Sequence, residues 1–277
     1  MSETLRSTFH RVFRLENRRR APRSGTLEHF PFTSAILGNT REVTVYLPVS
    51  YADRPETRYP VLYMQDGQNL FEAERAFIPG QHWRLREAAD AALNERTAQS
   101  IIVVGVDNAG AARIDEYTPT RDESKGGGGR ADDYGRMLLD ELKPLIDAKY
   151  RTLPEQTAIG GSSLGGLVSA YLALQHPEAF KAAAVMSPSV WWDKRALLRY
   201  VESFDAPSRP RMWLDIGGRE GSEALNDARA LRDALQAKGW SDETLAYFED
   251  RRADHSERAW AKRVRMVLEF LFPPTAS

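Results

Sequence analysis

The chain has no cysteine in its 277 residues. Disulfides, thiol nucleophiles, thiolate metal sites and thiol redox relays are therefore excluded. No charge of one sign dominates: 38 Lys and Arg stand against 39 Asp and Glu, for a formal net charge of −1. That balance argues against a nucleic-acid binder built on bulk charge. No apolar run approaches the roughly 18–20 residues that a membrane helix needs. The first residues hold no apolar core of the signal-peptide kind either. Arg11, Arg14, Arg18, Arg19, Arg20 and Arg23 occupy that stretch instead. We therefore expect a cytoplasmic protein, with no membrane or nucleic-acid partner and with residues 1–24 as a basic arm. Polyanion docking through that arm is the weaker alternative to a solvated or packed one. Internal repeats, long linkers and clusters with metal-ligand spacing are also absent, so neither a metal nor a cofactor is expected.

What is present is a pattern of strands and helices. Residues 41–48 (REVTVYLP) alternate apolar and polar side chains, as a half-buried strand does. Residues 59–64 (YPVLYM) and 100–106 (SIIVVGV) are continuous apolar runs. Such runs suit central strands of a parallel sheet covered on both faces. Further strands are expected at 157–159, 182–186, 211–216 and 244–248. Helices are expected at 83–93, after residue 163 through Gln175, around Leu225–Leu235, and around Trp260–Leu271. Apolar residues at helical spacing also run from 131 to 149, where Pro144 is expected to kink or break the helix. Strands alternating with helices after an antiparallel front predict an α/β protein with a mostly parallel central sheet and helices on both faces. One domain, residues 25–273, accommodates the whole pattern.

The sharpest motif is GGSSLGG at residues 160–166, between a short strand and a helix. In a Gly-x-Ser-x-Gly turn the glycines sit two before and two after the nucleophile. Ser163 has Gly161 and Gly165 in those places, whereas Ser162 has Gly160 but Leu164. The turn would lift the Ser163 hydroxyl above the sheet, with the Leu164 N–H as one oxyanion donor. Serine is a weak nucleophile and needs a base. Of the five histidines, His255 follows the last strand in a polar loop before the final helix, which suits the chain order Ser, acid, His. His176 lies too far along the nucleophile's own helix. His10 and His29 belong to the arm or first strand, and His82 precedes the nucleophile. The acid that orients the imidazole should lie between Ser163 and His255. Glu220, just past the strand ending at Ile216, is the leading candidate. Asp215 is a rival, but its place inside the strand suits a structural hydrogen bond. Glu223 and Asp254 are weaker rivals, and a Ser-His dyad without a close acid stays open. After the third strand, Asp66-Gly67-Gln68-Asn69 offers Gly67 for close backbone approach and the Gln68 N–H as the second oxyanion donor.

With these residues in place, the sequence resembles the putative-esterase family of α/β-hydrolases. That family includes enterochelin-type siderophore esterases, feruloyl and acetyl-xylan esterases, S-formylglutathione hydrolase and mycolyltransferases. The resemblance runs through YPVLYMQDGQNLF, IIVVGVDN, RIDEYTP, ELKPLIDAKYRT, IGGSSLGGLVSAYLALQHPEAF, SPSVWW, LDIGGRE and DHSERAW, over most of residues 40–272. It implies the α/β-hydrolase fold and ester hydrolysis through an acyl-enzyme on Ser163. It supports His255 as base and Glu220 as acid, since GGRE matches the family's acid-bearing loop. Many members carry Asp there. The DGQNLF segment replaces the His-Gly pattern of other lipases.

Residues 107–130 form a long loop without clear secondary structure, and such loops are usually functional or disordered. Gly126–Gly129 should make part of it mobile. Arg113 and Tyr117 lie near its start, and an Arg113–Glu116 salt bridge is one alternative role for the arginine. Trp191 and Trp192 follow the next strand past the nucleophile, where they would either wall the pocket or pack. Aromatic walls suit a sugar, an aryl acid or an aromatic siderophore arm; the polar, glycine-rich loop argues against long acyl chains. The sequence thus predicts a serine carboxylesterase for a small-molecule ester. An acyltransferase and a silent binding member of the fold are the alternatives, and the oligomeric state is open, a homodimer included.

Overall fold

The computed structural model describes residues 24–205 and 207–274. The basic arm therefore lies outside the described residues, apart from Ser24 at its end. Strands β1 (Thr26–Ser34) and β2 (Asn39–Leu47) form an antiparallel hairpin. A short helix, α1 (Ser50–Asp53), leads to β3 (Tyr59–Gln65), α2 (Leu85–Asn94) and β4 (Ile102–Val106). Then come α3 (Arg113–Glu116), a small hairpin of β5 (Arg121–Asp122) and β6 (Gly127–Gly128), α4 (Ala131–Arg136) and α5 (Lys143–Lys149). The rest alternates: β7 (Thr152–Ser162), α6 (Leu164–Gln175), β8 (Ala182–Met186), α7 (Trp192–Ser203), β9 (Arg211–Gly217), α8 (Ser222–Ala237), β10 (Leu245–Asp250) and α9 (Glu257–Leu271).

Eight strands form one sheet in the order β1-β2-β4-β3-β7-β8-β9-β10. β1, β2 and β4 pair antiparallel, and every pair from β4 to β10 is parallel. This is the mostly parallel α/β sheet with an antiparallel front that the sequence pattern predicts. The central strands are apolar throughout because both faces are covered. Along β3, Val61 and Tyr63 enter one core with α6, α7 and α8, while Leu62 and Met64 enter the other with α2 and α9. Successive side chains of a strand point to opposite faces, so each strand feeds both cores. From β3 the chain steps outward to β4, then crosses back to place β7 on β3's other side. Strand order reverses there, and open α/β sheets bind ligands in the crevice at the carboxyl ends beside such a reversal.

Two local expectations need correction. Pro144 does not break the helical run over 131–149. A π-helical stretch, Met137–Leu142, precedes it, and the proline falls in the first turn of α5, where a missing N–H costs little. The loop at 107–130 does carry secondary structure. Its glycines supply turns rather than slack: Gly126, Gly128 and Gly129 have φ of 70°, 102° and 94°. Asp115 Oδ1 accepts the Gly128 N–H at 2.6 Å and so holds the small hairpin against α3. At its root, Glu116 does not pair with Arg113. It is buried on Arg41 of β2, with Arg41 Nη2 to Glu116 Oε1 at 2.9 Å and Asn39 Nδ2 donating to the same oxygen at 2.9 Å.

Candidate active site

β7 ends at Ser162 and α6 begins at Leu164, so Ser163 alone makes the turn between them. Its φ of 58° and ψ of −124° are sparsely populated for a residue with a Cβ. Neighbouring backbone holds it there. The Ser163 N–H donates to the Met186 carbonyl at 3.0 Å, and its own carbonyl accepts from Leu167 N at 3.0 Å and Ser189 N at 3.1 Å. The turn closes only around glycine: a Cβ on Gly161 would lie 2.8 Å from the Gly165 carbonyl carbon. Ser163 Oγ lies 3.2 Å from Ser189 Oγ and opens into a cavity of about 400 Å³. Leu164 is the first residue of α6, so its N–H has no carbonyl within the helix to bond.

His255 lines the same cavity, on the loop between β10 and α9. Its Nδ1 lies 2.6 Å from Glu220 Oε2. The edge of its ring meets Trp260, with centroids 5.0 Å apart and planes at 83°. Glu220 sits in the turn after β9, with its side chain 3% exposed. Its other oxygen accepts from Ser187 Oγ at 2.6 Å and from the Gly217 N–H at 2.7 Å. Burial pushes the Glu220 carboxyl up, but the donors His255, Ser187 and Gly217 outweigh it and hold the group below the ordinary glutamate range. The rival Asp215 is engaged elsewhere. It is buried in β9 and accepts from Arg263 Nη2 at 3.0 Å and Trp213 Nε1 at 2.8 Å. Burial nonetheless pushes it up to about 6. Glu223 is exposed in the first turn of α8, and the exposed Asp254 accepts from Ser256 Oγ at 2.5 Å.

Gln68 faces Ser163 across the cavity from a single 3₁₀ turn, Gly67–Asn69, after β3. Its side-chain oxygen accepts the Asn108 N–H at 3.3 Å. Gly67 is not on the cavity wall as the sequence reading had it. It packs on β4, where a Cβ would lie 2.6 Å from the Gly105 carbonyl carbon. Arg113 is on the wall, and a bidentate pair with Asp66 at 2.7 Å for each contact fixes its guanidinium. Asn108 Nδ2 donates to Asp66 Oδ1 at 2.7 Å and completes that group. Tyr117 lies beneath it, fully buried, its hydroxyl accepting the Asp66 N–H at 3.3 Å. Neither tryptophan lines the cavity. Trp192 is buried with its indole N–H on the Thr120 carbonyl at 2.9 Å, and Trp191 is half-exposed beneath Lys125.

Sequence reasoning gave no wall role to Asp66, Asn69, Phe77, Asn108, Gly110, Glu257 or Trp260, all of which line the cavity. Asp66 and Asn69 belong to the DGQN stretch already singled out, and Asn108 to the VDN at the end of β4. Phe77, in a polar glycine-containing loop with no periodicity, carried one signal, an aromatic ring without an evident core partner.

The sequence matches the putative esterase family over residues 34–270. Among curated proteins it is 26% identical over 246 residues to the uncharacterized protein YbbA of Bacillus subtilis, covering 84% of this chain and 92% of that one. It is 24% identical over 255 residues to an endo-1,4-beta-xylanase/feruloyl esterase of Xylanibacter ruminicola, covering 90% of this chain and 31% of that longer protein. Among solved structures, the enterobactin esterase of Shigella flexneri with enterobactin superposes with a TM-score of 0.72 at 20% identity, over 89% of this chain and 58% of that one. The sequence match spans the sheet from β2 to β10, the turn at Ser163 and the loops of Glu220 and His255, and the chain belongs to the putative esterase family, with an α/β-hydrolase fold.

Proposed function

We propose that this chain is a serine carboxylesterase whose acyl-enzyme forms on Ser163. Family membership makes it a carboxylic ester hydrolase; the assignment of roles to residues is our inference. The observation that carries it is the 2.6 Å contact between His255 Nδ1 and Glu220 Oε2, at the edge of the cavity into which the strained Ser163 opens. His255 Nε2 takes the Ser163 proton as Oγ attacks the ester carbonyl. Glu220 holds the ring in the tautomer with the proton on Nδ1 and stabilises the imidazolium that forms. The Leu164 and Gln68 N–H groups face the carbonyl oxygen as it gains charge. The alcohol leaves with the proton from His255, and water repeats the sequence to release the acid.

The wall combines polar groups (Asp66, Gln68, Asn108, Arg113) with the aromatic rings of Phe77 and Trp260. This combination suits a small ester with a hydroxyl-rich or aryl part, and the relative named a feruloyl esterase is in keeping with it. The test is hydrolysis of an ester panel (p-nitrophenyl acetate, p-nitrophenyl butyrate, methyl ferulate, acetylated xylo-oligosaccharides) by the wild type and Ser163→Ala, with fluorophosphonate labelling of both. Turnover and labelling that depend on Ser163 are expected. Turnover retained by Ser163→Ala overturns the assignment, and acyl transfer to an added alcohol in preference to water turns it into an acyltransferase.

A further inference from the structure

Ser187 follows β8 in the SPSVWW segment, and no step of the chemistry above uses its hydroxyl. It is 1% exposed, and its φ of 40° places a residue with a Cβ in the left-handed region. Its backbone is held by β9: the Ser187 N–H donates to the Asp215 carbonyl at 2.9 Å and reaches Asp215 Oδ1 at 3.2 Å. A serine hydroxyl has one proton to give and two lone pairs to fill. Both lone pairs are taken from α9, by Trp260 Nε1 at 3.1 Å and Arg263 Nη2 at 2.9 Å. The proton therefore has one place to go, Glu220 Oε1 at 2.6 Å. The two donors dictate the direction of the third bond.

We propose that Ser187 and Arg263 are positioning residues for the reaction, locking Glu220 so that only its Oε2 is offered to His255. The proposal rests on the esterase reading above. A carboxylate with both oxygens free can rotate or take its proton partner on either oxygen. With Oε1 occupied by Ser187 and the Gly217 N–H, rotation would break two hydrogen bonds. The lock is built into α9. Trp260 and Arg263 are one turn apart on one helix face, and His255 lies just ahead of the same helix. Trp260 also backs the imidazole, so one helix sets both partners of the His255–Glu220 bond. Arg263 is 1% exposed, and a buried cation needs a counter-charge. Asp215 supplies it at 3.0 Å, which gives the buried carboxylate of β9 a role one step behind the acid. Of the charged groups packed around the bond, Asp215 acts on Glu220 and Arg263 stands behind Ser187, while Arg219, Asp254, Glu257 and Arg258 occupy the adjoining loops and helix start.

The test compares Ser187→Ala, the double variant Asp215→Asn/Arg263→Met, and their combination in the full-length enzyme. The double variant removes both charges together, so neither is left buried alone. For Ser187→Ala we expect kcat/KM to fall about ten- to a hundredfold, the loss typical when the outer partners of an oriented functional group are removed. KM should change little, and the melting temperature should fall by a few degrees without loss of the fold, because the buried Trp260 N–H is left without its acceptor. Without its donor, Glu220 concentrates charge on the bond to His255, which favours the protonated ring. The acid limb of the pH profile of kcat/KM should then move to higher pH by about half a unit to one unit. The double variant should move it the same way, and adding Ser187→Ala to it should cost less than Ser187→Ala alone. An unchanged rate in Ser187→Ala, or a lower rate with an unmoved limb, overturns the proposal. Ser163→Ala and Glu220→Gln serve as references: if they remain active the esterase reading fails, and if they collapse while Ser187→Ala does not, only the positioning role fails.

Discussion

The side-chain oxygen of Asn69 accepts the backbone N–H of Phe77 at 2.8 Å, so the turn carrying Gln68 and the aromatic rim of the cavity are joined. The Phe77 ring is 81% exposed, an unusual place for a large apolar side chain unless something covers it in use. Phe77→Ala should leave the melting temperature unchanged, because the ring buries almost nothing. It should raise KM for aryl esters such as methyl ferulate about two- to tenfold, the worth of one aromatic contact, and leave p-nitrophenyl acetate nearly unaffected. Steady-state kinetics on the two substrates checks this.

Glu220→Gln keeps the size of the acid and removes its charge. The amide can present an N–H to His255 Nδ1 and stabilise the wrong tautomer. We expect kcat to fall by about 10³- to 10⁴-fold, as in other triads that lose the acid's charge. Asp254→Asn should stay within about twofold of wild type, because this carboxylate is exposed, bonds Ser256 of its own turn, and acts on its neighbours through solvent. Single-turnover and steady-state rates of both variants, with melting curves as the fold control, discriminate the two carboxylates.

Gly161→Ala should fail through sterics rather than chemistry. Its Cβ would meet the Gly165 carbonyl carbon at 2.8 Å and Gln65 Cβ at 2.9 Å, neither of which can retreat. A cost of about 3 kcal/mol or more is expected from such overpacking, with loss of activity even in the folded fraction, since the turn that aims Ser163 must open. Chemical denaturation and fluorophosphonate labelling measure the two effects separately.

Burial pushes the Asp107 carboxyl up to about 6, despite the pull of Arg75 at 2.7 Å. A carboxyl raised in the folded state binds its proton more tightly than in the unfolded chain. Its contribution to stability therefore grows as pH falls from about 6 towards 4, and is lost as pH rises through about 6. Asp107→Asn removes this dependence. The stability difference between pH 7 and pH 4.5, read by urea unfolding, should shift by about 2 kcal/mol between wild type and variant, with the wild type gaining more on acidification.

Ser163 was legible because the glycines two residues to either side answer a backbone need that no other residue meets. His255 and Glu220 were legible by position, each in a loop that leaves the carboxyl end of a strand. The sheet was legible because strands covered on both faces must be apolar at every position. The wall of the cavity was less so. Tyr117, Trp191 and Trp192 also follow strand ends, but an aromatic residue there can turn in or out. Tyr117 turns in because its ring meets the edge of Tyr134, centroids 5.1 Å apart, and Trp192 because a buried carbonyl waits for its indole N–H. Those partners come from segments distant in sequence, so no local pattern announces them. The same holds for Ser187, whose place among Trp260, Arg263 and Glu220 exists only once β8, β9 and α9 have packed.

The buried pair between Arg41 and Glu116 ties the second strand of the sheet to the short helix that carries Arg113. The front hairpin thus braces the cavity wall that carries Arg113, although it stands on the far side of β4 and β3 from the serine. A chain stripped of its first two strands would keep the Asp66 pair that fixes the Arg113 guanidinium and lose the buried partners of Glu116, so α3 would be tethered from the cavity side alone. The turn at Ser163 stands at the middle of the sheet, and one wall of the cavity before it is braced from the margin.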